Sequence, residues 1–148
     1  MNMKVEETLT CKKGIVLYFS ATGNTKAVVD MFDEEKYDIV NVRHAKDIDL
    51  SKYSVVVMGM STWSRGLPPK PFINIKEKIF SLKGKVIGIF GSGRSEFEFF
   101  CGAVDLMEEV TKDNNTIVFT YKYEGYPKDI DFTNMRKNIN EINKLGEM

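Results

Sequence analysis

A single α/β domain, built on a five-stranded parallel sheet with helices on both faces, is predicted from three observations on this 148-residue chain. Five short apolar, β-rich runs alternate with stretches whose apolar residues recur at helical spacing, the pattern of strands joined by crossover helices. Three of the runs are almost continuously apolar, as strands covered on both sides must be. The other two alternate with polar residues and are expected at the sheet edges.

Taken in order, the first strand is expected at Ile15 to Phe19, followed by a helical stripe of Val28, Met31 and Phe32. The second, Asp38 to Val42, alternates and reads as an edge. Ala45 to Tyr53 is too short for a full crossover helix and predicts one or two turns. The third strand, Val55 to Met60, precedes a stripe of Phe72, Ile75, Ile79 and Leu82, whose helix is expected to start just after Pro71, a favoured first-turn residue. The fourth strand, Val86 to Phe90, precedes the stripe Phe100, Ala103, Val104, Met107 and Val110. The fifth, Ile117 to Tyr121, is flanked by Thr116 and Lys122 and reads as the other edge. Phe132, Met135, Ile139, Ile142 and Leu145 predict a last helix. These stripes are core. Residues 1–13 form an N-terminal extension, a frayed tail or a segment paired with a sheet edge, and residues 14–148 form the domain.

Composition narrows the function. The 21 basic residues balance 21 acidic ones, leaving no excess to neutralise a nucleic-acid backbone. No apolar run approaches the roughly 20 residues that span a bilayer, and the charged start lacks the apolar stretch of a secretory signal. Two cysteines, Cys11 and Cys101, make neither a disulfide framework nor a metal-ligand pair. A reduced, cytoplasmic, monomeric protein without a metal is expected. His44, among charged residues, reads as a surface histidine.

The chemistry lies in the loops. After the first strand come Phe19-Ser20-Ala21-Thr22-Gly23-Asn24-Thr25. Hydroxyls, an amide side chain and backbone N–H groups stand there at the start of a helix, where aligned peptide dipoles favour a phosphate without a paired cation. No Gly-Lys-Ser/Thr follows, so this is no triphosphate loop, and one glycine does not make a dinucleotide fingerprint. Alone, the segment reads equally as a turn with a helix cap.

In an open doubly wound sheet the ligand sits beyond the carboxyl ends of the strands, where strand order reverses. Two further loops therefore face the same place: Ser61-Thr62-Trp63-Ser64-Arg65-Gly66-Leu67-Pro68-Pro69 after the third strand, and Gly91 to Cys101 after the fourth. Trp63 reads as a core anchor or as a stacking surface, and Phe97 as a first-turn packing residue or a second such surface. Two aromatics beside a phosphate cradle suit a flat aromatic ligand, each offset stack adding about 0.5–1.5 kcal/mol. A phosphate at one end and a ring at the other describe a mononucleotide. Cys101 has no histidine partner and reads as a small core residue.

With these loops in place the chain resembles the short-chain flavodoxins from about Lys13 to Leu145. The run Ser20 to Thr25 matches their hydroxyl-x-Thr-Gly-Asn-Thr loop, Ser61-Thr62-Trp63 their tryptophan loop, and Phe99-Phe100-Cys101-Gly102-Ala103-Val104-Asp105 their aromatic-Phe-Cys-Gly-Ala-x-Asp run. The resemblance implies a three-layer sandwich of strand order 2-1-3-4-5, a bound FMN, and one-electron shuttling between a reductase and an acceptor protein through the exposed flavin edge. It implies phosphate contacts from Ser20, Thr22, Asn24 and Thr25 and from the N–H groups of Ala21 and Gly23. Trp63 would stack on the inner flavin face and Phe97 stands where the family has an outer tyrosine. Ser61, Thr62, Ser64, Arg65 and Gly66 complete the first flavin loop. Ser92, Gly93, Arg94, Phe100 and Cys101 belong to the second, with Ser92, Gly93, Arg94 and Cys101 reaching the pyrimidine edge through main-chain groups.

Two departures carry expectations. Flavodoxins are typically very acidic, whereas this chain is neutral and places Arg65 and Arg94 in the flavin loops. A cation about 8 Å from the ring at an effective dielectric near 40 favours the reduced anion by roughly 1 kcal/mol, about 40 mV, so a less negative second couple is expected. Ser64 stands where a glycine is common, and a positive φ costs a non-glycine residue about 1 kcal/mol or more. A lower yield of the half-reduced flavin follows. The competing readings are a ribonucleotide-reductase-activating flavoprotein of the same fold, a receiver-type phosphorylation module (disfavoured by the absence of its acidic residues), and a flavin-free scaffold. With no room for a nicotinamide-binding domain, an electron carrier is favoured over a substrate-reducing enzyme.

Overall fold

The computed structural model describes residues 12–62, 66–94 and 101–147. Five parallel strands, β1 (Gly14–Tyr18), β2 (Tyr37–Asn41), β3 (Val55–Ser61), β4 (Val86–Gly93) and β5 (Thr116–Glu124), form one sheet in the order β2-β1-β3-β4-β5. The expected order and both edges are therefore observed. Helices α1 (Asn24–Val29), α2 (Lys70–Ile73), α3 (Lys76–Phe80), α4 (Gly102–Thr111) and α5 (Asp129–Gly146) cover the sheet.

The layering follows from the handedness of crossovers. The chain runs from β1 outward to β2, then returns past β1 to β3 and continues to β4 and β5. Right-handed connections in opposite directions must cross on opposite faces. Accordingly α1 and the terminal α5 bury Val28, Val29, Met135, Ile139 and Ile142 with Val16, Val57 and Phe90 on one face. On the other, α2, α3 and α4 bury Phe72, Ile79, Val104 and Met107 with Ile15, Leu17, Met58 and Ile89. The two-sided strand β3 is buried from Val55 to Met60, which is why it reads as an unbroken apolar run.

Element ends differ from the sequence expectation in places that have physical causes. β4 runs three residues past Phe90, through Gly91-Ser92-Gly93, because both neighbours keep pairing with it: Ser92 opposes Ser61 of β3 and Tyr123 of β5. Small residues that read as a turn are tolerated where backbone groups are satisfied from both sides. β2 stops at Asn41, whose side chain accepts the Arg43 N–H at 3.0 Å and closes a short 3₁₀ turn over Val42–His44. The Ala45–Tyr53 stretch holds one further 3₁₀ turn, Leu50–Lys52. The single helix expected after Pro71 is two, beginning at Lys70 with Pro71 in the first turn. Ile75 (φ −111°, ψ 23°) interrupts them; the three-residue step from Phe72 to Ile75 is carried by an i→i+3 bond of 3.2 Å.

Strand lengths shape the ligand end. β1 ends at Tyr18 opposite Gly59, while β3 continues to Ser61 and β4 to Gly93. The loops leaving β3 and β4 thus stand above the end of β1, at the point where strand order reverses.

Candidate functional site

The loop after β1 is built around Ser20. Its Oγ accepts the N–H of Gly23 at 3.1 Å and that of Lys26 at 3.2 Å, so Ser20 caps α1 from outside the helix. Gly23, the residue that precedes α1, sits at φ 90°, and a Cβ placed there would meet nothing within 4 Å. The left-handed turn is what glycine supplies at little cost; the space over it is open. Ala21 and Thr22 are exposed, and the N–H groups of Ala21, Thr22, Asn24 and Thr25 find no acceptor among the described residues.

Thr25 is different. It is 1% exposed, and its Oγ1 is a buried hydroxyl without a hydrogen-bond partner among the described residues. Its polar neighbour is the Tyr123 hydroxyl, whose proton goes instead to the Asn24 carbonyl at 2.9 Å. Burial holds the Tyr123 phenol well above its ordinary range, so it stays a donor and ties β5 to the first residue of α1. Sequence reasoning did not single out Tyr123. Its partner is a backbone carbonyl 99 residues away, which no motif can mark.

The loops after β3 and β4 meet at the start of α4. Thr62 extends the sheet by donating its N–H to the Ser92 carbonyl at 3.0 Å, and its Oγ1 accepts the Ala103 N–H at 3.3 Å. Ser61 and Thr62 are half-buried and Ser92 is buried. A Cβ on Gly102 would lie 2.9 Å from the Gly66 Cα and 3.1 Å from its carbonyl oxygen, so the two loops touch backbone to backbone. Gly102→Ala must push them apart. We expect the variant to fold with FMN affinity lowered about ten-fold, the cost of one misplaced contact worth about 1.4 kcal/mol; unchanged affinity by flavin fluorescence would show that the loop position is unimportant.

Cys101 is fully buried and holds φ 51° ahead of α4, the one non-glycine positive φ among the described residues. Its Sγ faces the carbonyls of Gly91 and Tyr123 at 3.5 and 3.6 Å and lies 3.0 Å from where a Gly93 Cβ would stand. Burial pushes its thiol up to about 11 from 9.0. The group is therefore a neutral thiol at pH 7–8, and its contribution to stability is present below about pH 9 and lost as pH rises through 11. In a Cys11→Ser variant, iodoacetamide at pH 8 should label Cys101 only after denaturation; prompt labelling of the native protein would contradict the burial.

Arg94 follows β4 and is exposed, and His44 is likewise exposed. Trp63, Ser64, Arg65, Phe97 and Phe100 lie outside the described residues.

The fold and the hydroxyl-rich loop at its switch point define a doubly wound α/β protein suited to a phosphorylated ligand. The flavodoxin family model matches residues 16–141, and the chain belongs to that family: it is an FMN-containing electron-transfer protein. Probable flavodoxin 2 of Bacillus subtilis (strain 168) is 33% identical over 127 residues, covering 78% of this chain and 84% of that protein. A flavodoxin of Maridesulfovibrio salexigens is 33% identical over 129 residues, covering 78% and 88%. Among solved structures, the flavodoxin of Streptococcus pneumonia TIGR4 superposes with a TM-score of 0.82 at 20% identity, covering 89% of this chain and 98% of the other. A Fusobacterium nucleatum flavodoxin mutant bound to flavin mononucleotide gives 0.70 at 19%, covering 90% and 97%; both carry the same fold. The residues present fit FMN, since an anionic phosphate suits N–H donors, neutral hydroxyls and a buried hydroxyl that lacks an acceptor.

Proposed function

We propose that the protein carries single electrons between a separate reductase and an acceptor protein, without turning over a substrate of its own. FMN supplies the one-electron chemistry. The chain's part is to hold the phosphate, wall off one flavin face and leave an edge exposed. In this reading Thr22, Asn24 and Thr25 hold the phosphate with the N–H groups of Ala21 and its neighbours. Ser20 contributes its hydroxyl proton, its lone pairs being used within the loop. Main-chain groups of Ser92, Gly93, Arg94 and Cys101 meet the ring edge, and Trp63 and Phe97 supply the stacking surfaces. The Thr25 hydroxyl carries this reading, because a buried donor without a partner is unfavourable unless a ligand satisfies it.

No described helix is long and apolar enough to cross a membrane. A cytoplasmic monomer, with residues 1–13 as an extension of a domain at 14–148, completes the proposal. The test is titration of the purified protein with FMN, followed by anaerobic dithionite reduction watched in the visible spectrum. Tight quenching of flavin fluorescence and reduction in two resolved one-electron stages are expected. Failure to bind added FMN, or turnover of a small-molecule substrate by the loaded protein alone, would overturn the carrier role.

A further inference from the structure

Strand alternation puts Phe119, Tyr121 and Tyr123 of β5 on the face that α1 and α5 cover. The two tyrosine rings lie 6.2 Å apart, centre to centre, yet their hydroxyls serve different helices. Tyr121 turns to α5: its hydroxyl donates to Asp131 Oδ1 at 2.7 Å and accepts from Asn134 Nδ2 at 3.1 Å. Tyr123, 3% exposed, turns to α1 and donates to the Asn24 carbonyl at 2.9 Å. The backbone behind Tyr123 is fixed. It opposes Ser92 in the β4–β5 ladder, and its carbonyl faces the Cys101 thiol at 3.6 Å. Two residues on, the Gly125 N–H donates to the Gly93 carbonyl at 3.1 Å. The hydroxyl is thus an arm reaching the phosphate loop from strands that also carry the ring end of the site.

What that arm holds is half of a peptide group. The Asn24 carbonyl shares its plane with the Thr25 N–H, and no cis peptide occurs among the described residues. In a planar trans peptide the C=O and N–H point in opposite directions. Holding the carbonyl toward Tyr123 therefore aims the Thr25 N–H away from β5. That N–H finds no acceptor among the described residues, and the buried Thr25 hydroxyl beside it has none either. Donation to the carbonyl also polarises the peptide and strengthens its N–H as a donor. α1 has six residues, and the Gly23 before it offers no side-chain cap. So short a helix is not stable by itself in water, so its first peptide takes its direction from what it touches.

We propose that Tyr123 is a positioning residue for the phosphate end of the site: by holding the Asn24 carbonyl it aims the Thr25 N–H, and so sets the preference for FMN over the unphosphorylated flavin. The inference rests on the reading that the loop after β1 holds the FMN phosphate, and not on which proteins exchange electrons with it. An N–H already aimed costs no ordering when the ligand arrives, which is where preorganisation gains affinity.

The full-length protein, freed of flavin, would be titrated with FMN and with riboflavin, which has the same ring and no phosphate. In Tyr123→Phe the FMN affinity should fall about ten-fold while that for riboflavin stays within about two-fold. Tyr121→Phe removes a hydroxyl from the same strand face but from a bond to α5, and should leave both affinities within about two-fold. The phosphorus NMR resonance of bound FMN should move in the Tyr123→Phe holoprotein and stay in Tyr121→Phe. One measurement needs no substitution: in the labelled protein the Thr25 amide proton should shift far more with FMN than with riboflavin. Equal losses for the two flavins in Tyr123→Phe, or no loss for FMN, would overturn the proposal. So would an equal effect of Tyr121→Phe, or a Thr25 amide that answers both flavins alike. Equal affinity of the unsubstituted protein for FMN and riboflavin would instead remove the phosphate from the loop, and the proposal with it.

Discussion

Replacing Thr25 by valine should make the flavin-free protein more stable and its hold on FMN weaker. The substitution exchanges a hydroxyl for a methyl group of nearly the same size, so packing against β1 and β3 is kept. Thr25 is 1% exposed and its Oγ1 has no partner among the described residues. A buried unsatisfied hydroxyl costs roughly 1–3 kcal/mol, and valine removes that cost, raising the melting temperature of the flavin-free protein by several degrees. In the loaded protein the same hydroxyl would donate to a phosphate oxygen, and hydrogen bonds to charged groups contribute about 1.5–3 kcal/mol. Affinity should therefore fall by roughly 10- to 100-fold. The opposite signs matter. A merely structural threonine would lose stability and leave affinity alone; that result, read by thermal melts and flavin fluorescence, would remove Thr25 from the site.

The same residue shows what a sequence can and cannot convey. That Thr25 belongs to a loop after a strand is legible, since hydroxyls, glycine and an apolar run announce a turn at a strand end. That its hydroxyl is buried, without a hydrogen-bond partner among the described residues, depends on how α1 packs on the sheet, with Tyr123 of β5 held beside it by its bond to the Asn24 carbonyl. Tyr123 reads simply as one more residue of an alternating edge strand. Which strands are central and which are edges was legible because strand burial writes itself into composition: β1, β3 and the Val86–Phe90 part of β4 are apolar almost without interruption, and β2 and β5 are not, while the full order came from the family resemblance. The continuation of β4 through Gly91-Ser92-Gly93 was not, because those residues suit a turn as well as a strand and only the pairing partners decide. Likewise the break between α2 and α3 leaves the helical stripe intact; one i→i+3 step shifts the backbone without moving an apolar residue off the face. The Gly66–Gly102 contact is a backbone approach between two loops, and each glycine alone reads as a turn.

Phe90→Ala should be the most damaging single change in the core and should also loosen FMN, although Phe90 lies on the face of the sheet rather than in a loop. The Phe90 side chain is wholly buried. The far end of its ring covers Gly59 of β3, where an added Cβ would meet Cζ and both Cε atoms within 2.9 Å. It stacks on Phe32 at 6.2 Å, and Phe32 meets Tyr37 edge-on at 5.2 Å. Phe32 follows α1 directly, so this ladder seats the helix that begins at the phosphate loop. Truncating a buried phenylalanine costs about 3–5 kcal/mol, a large share of the 5–15 kcal/mol that holds a domain of this kind together. Gly59→Ala attacks the same contact from the other side by overpacking, at about 1–3 kcal/mol. If ring and glycine are one unit, Gly59→Ala combined with Phe90→Leu should cost clearly less than the sum of the two single changes, because the smaller side chain makes room for the methyl. Urea denaturation of the four proteins, with FMN titration of each, gives the coupling. Strict additivity would separate Gly59 from Phe90. Full FMN affinity in Phe90→Ala at a temperature where it is folded would show that α1 keeps its place without the ladder.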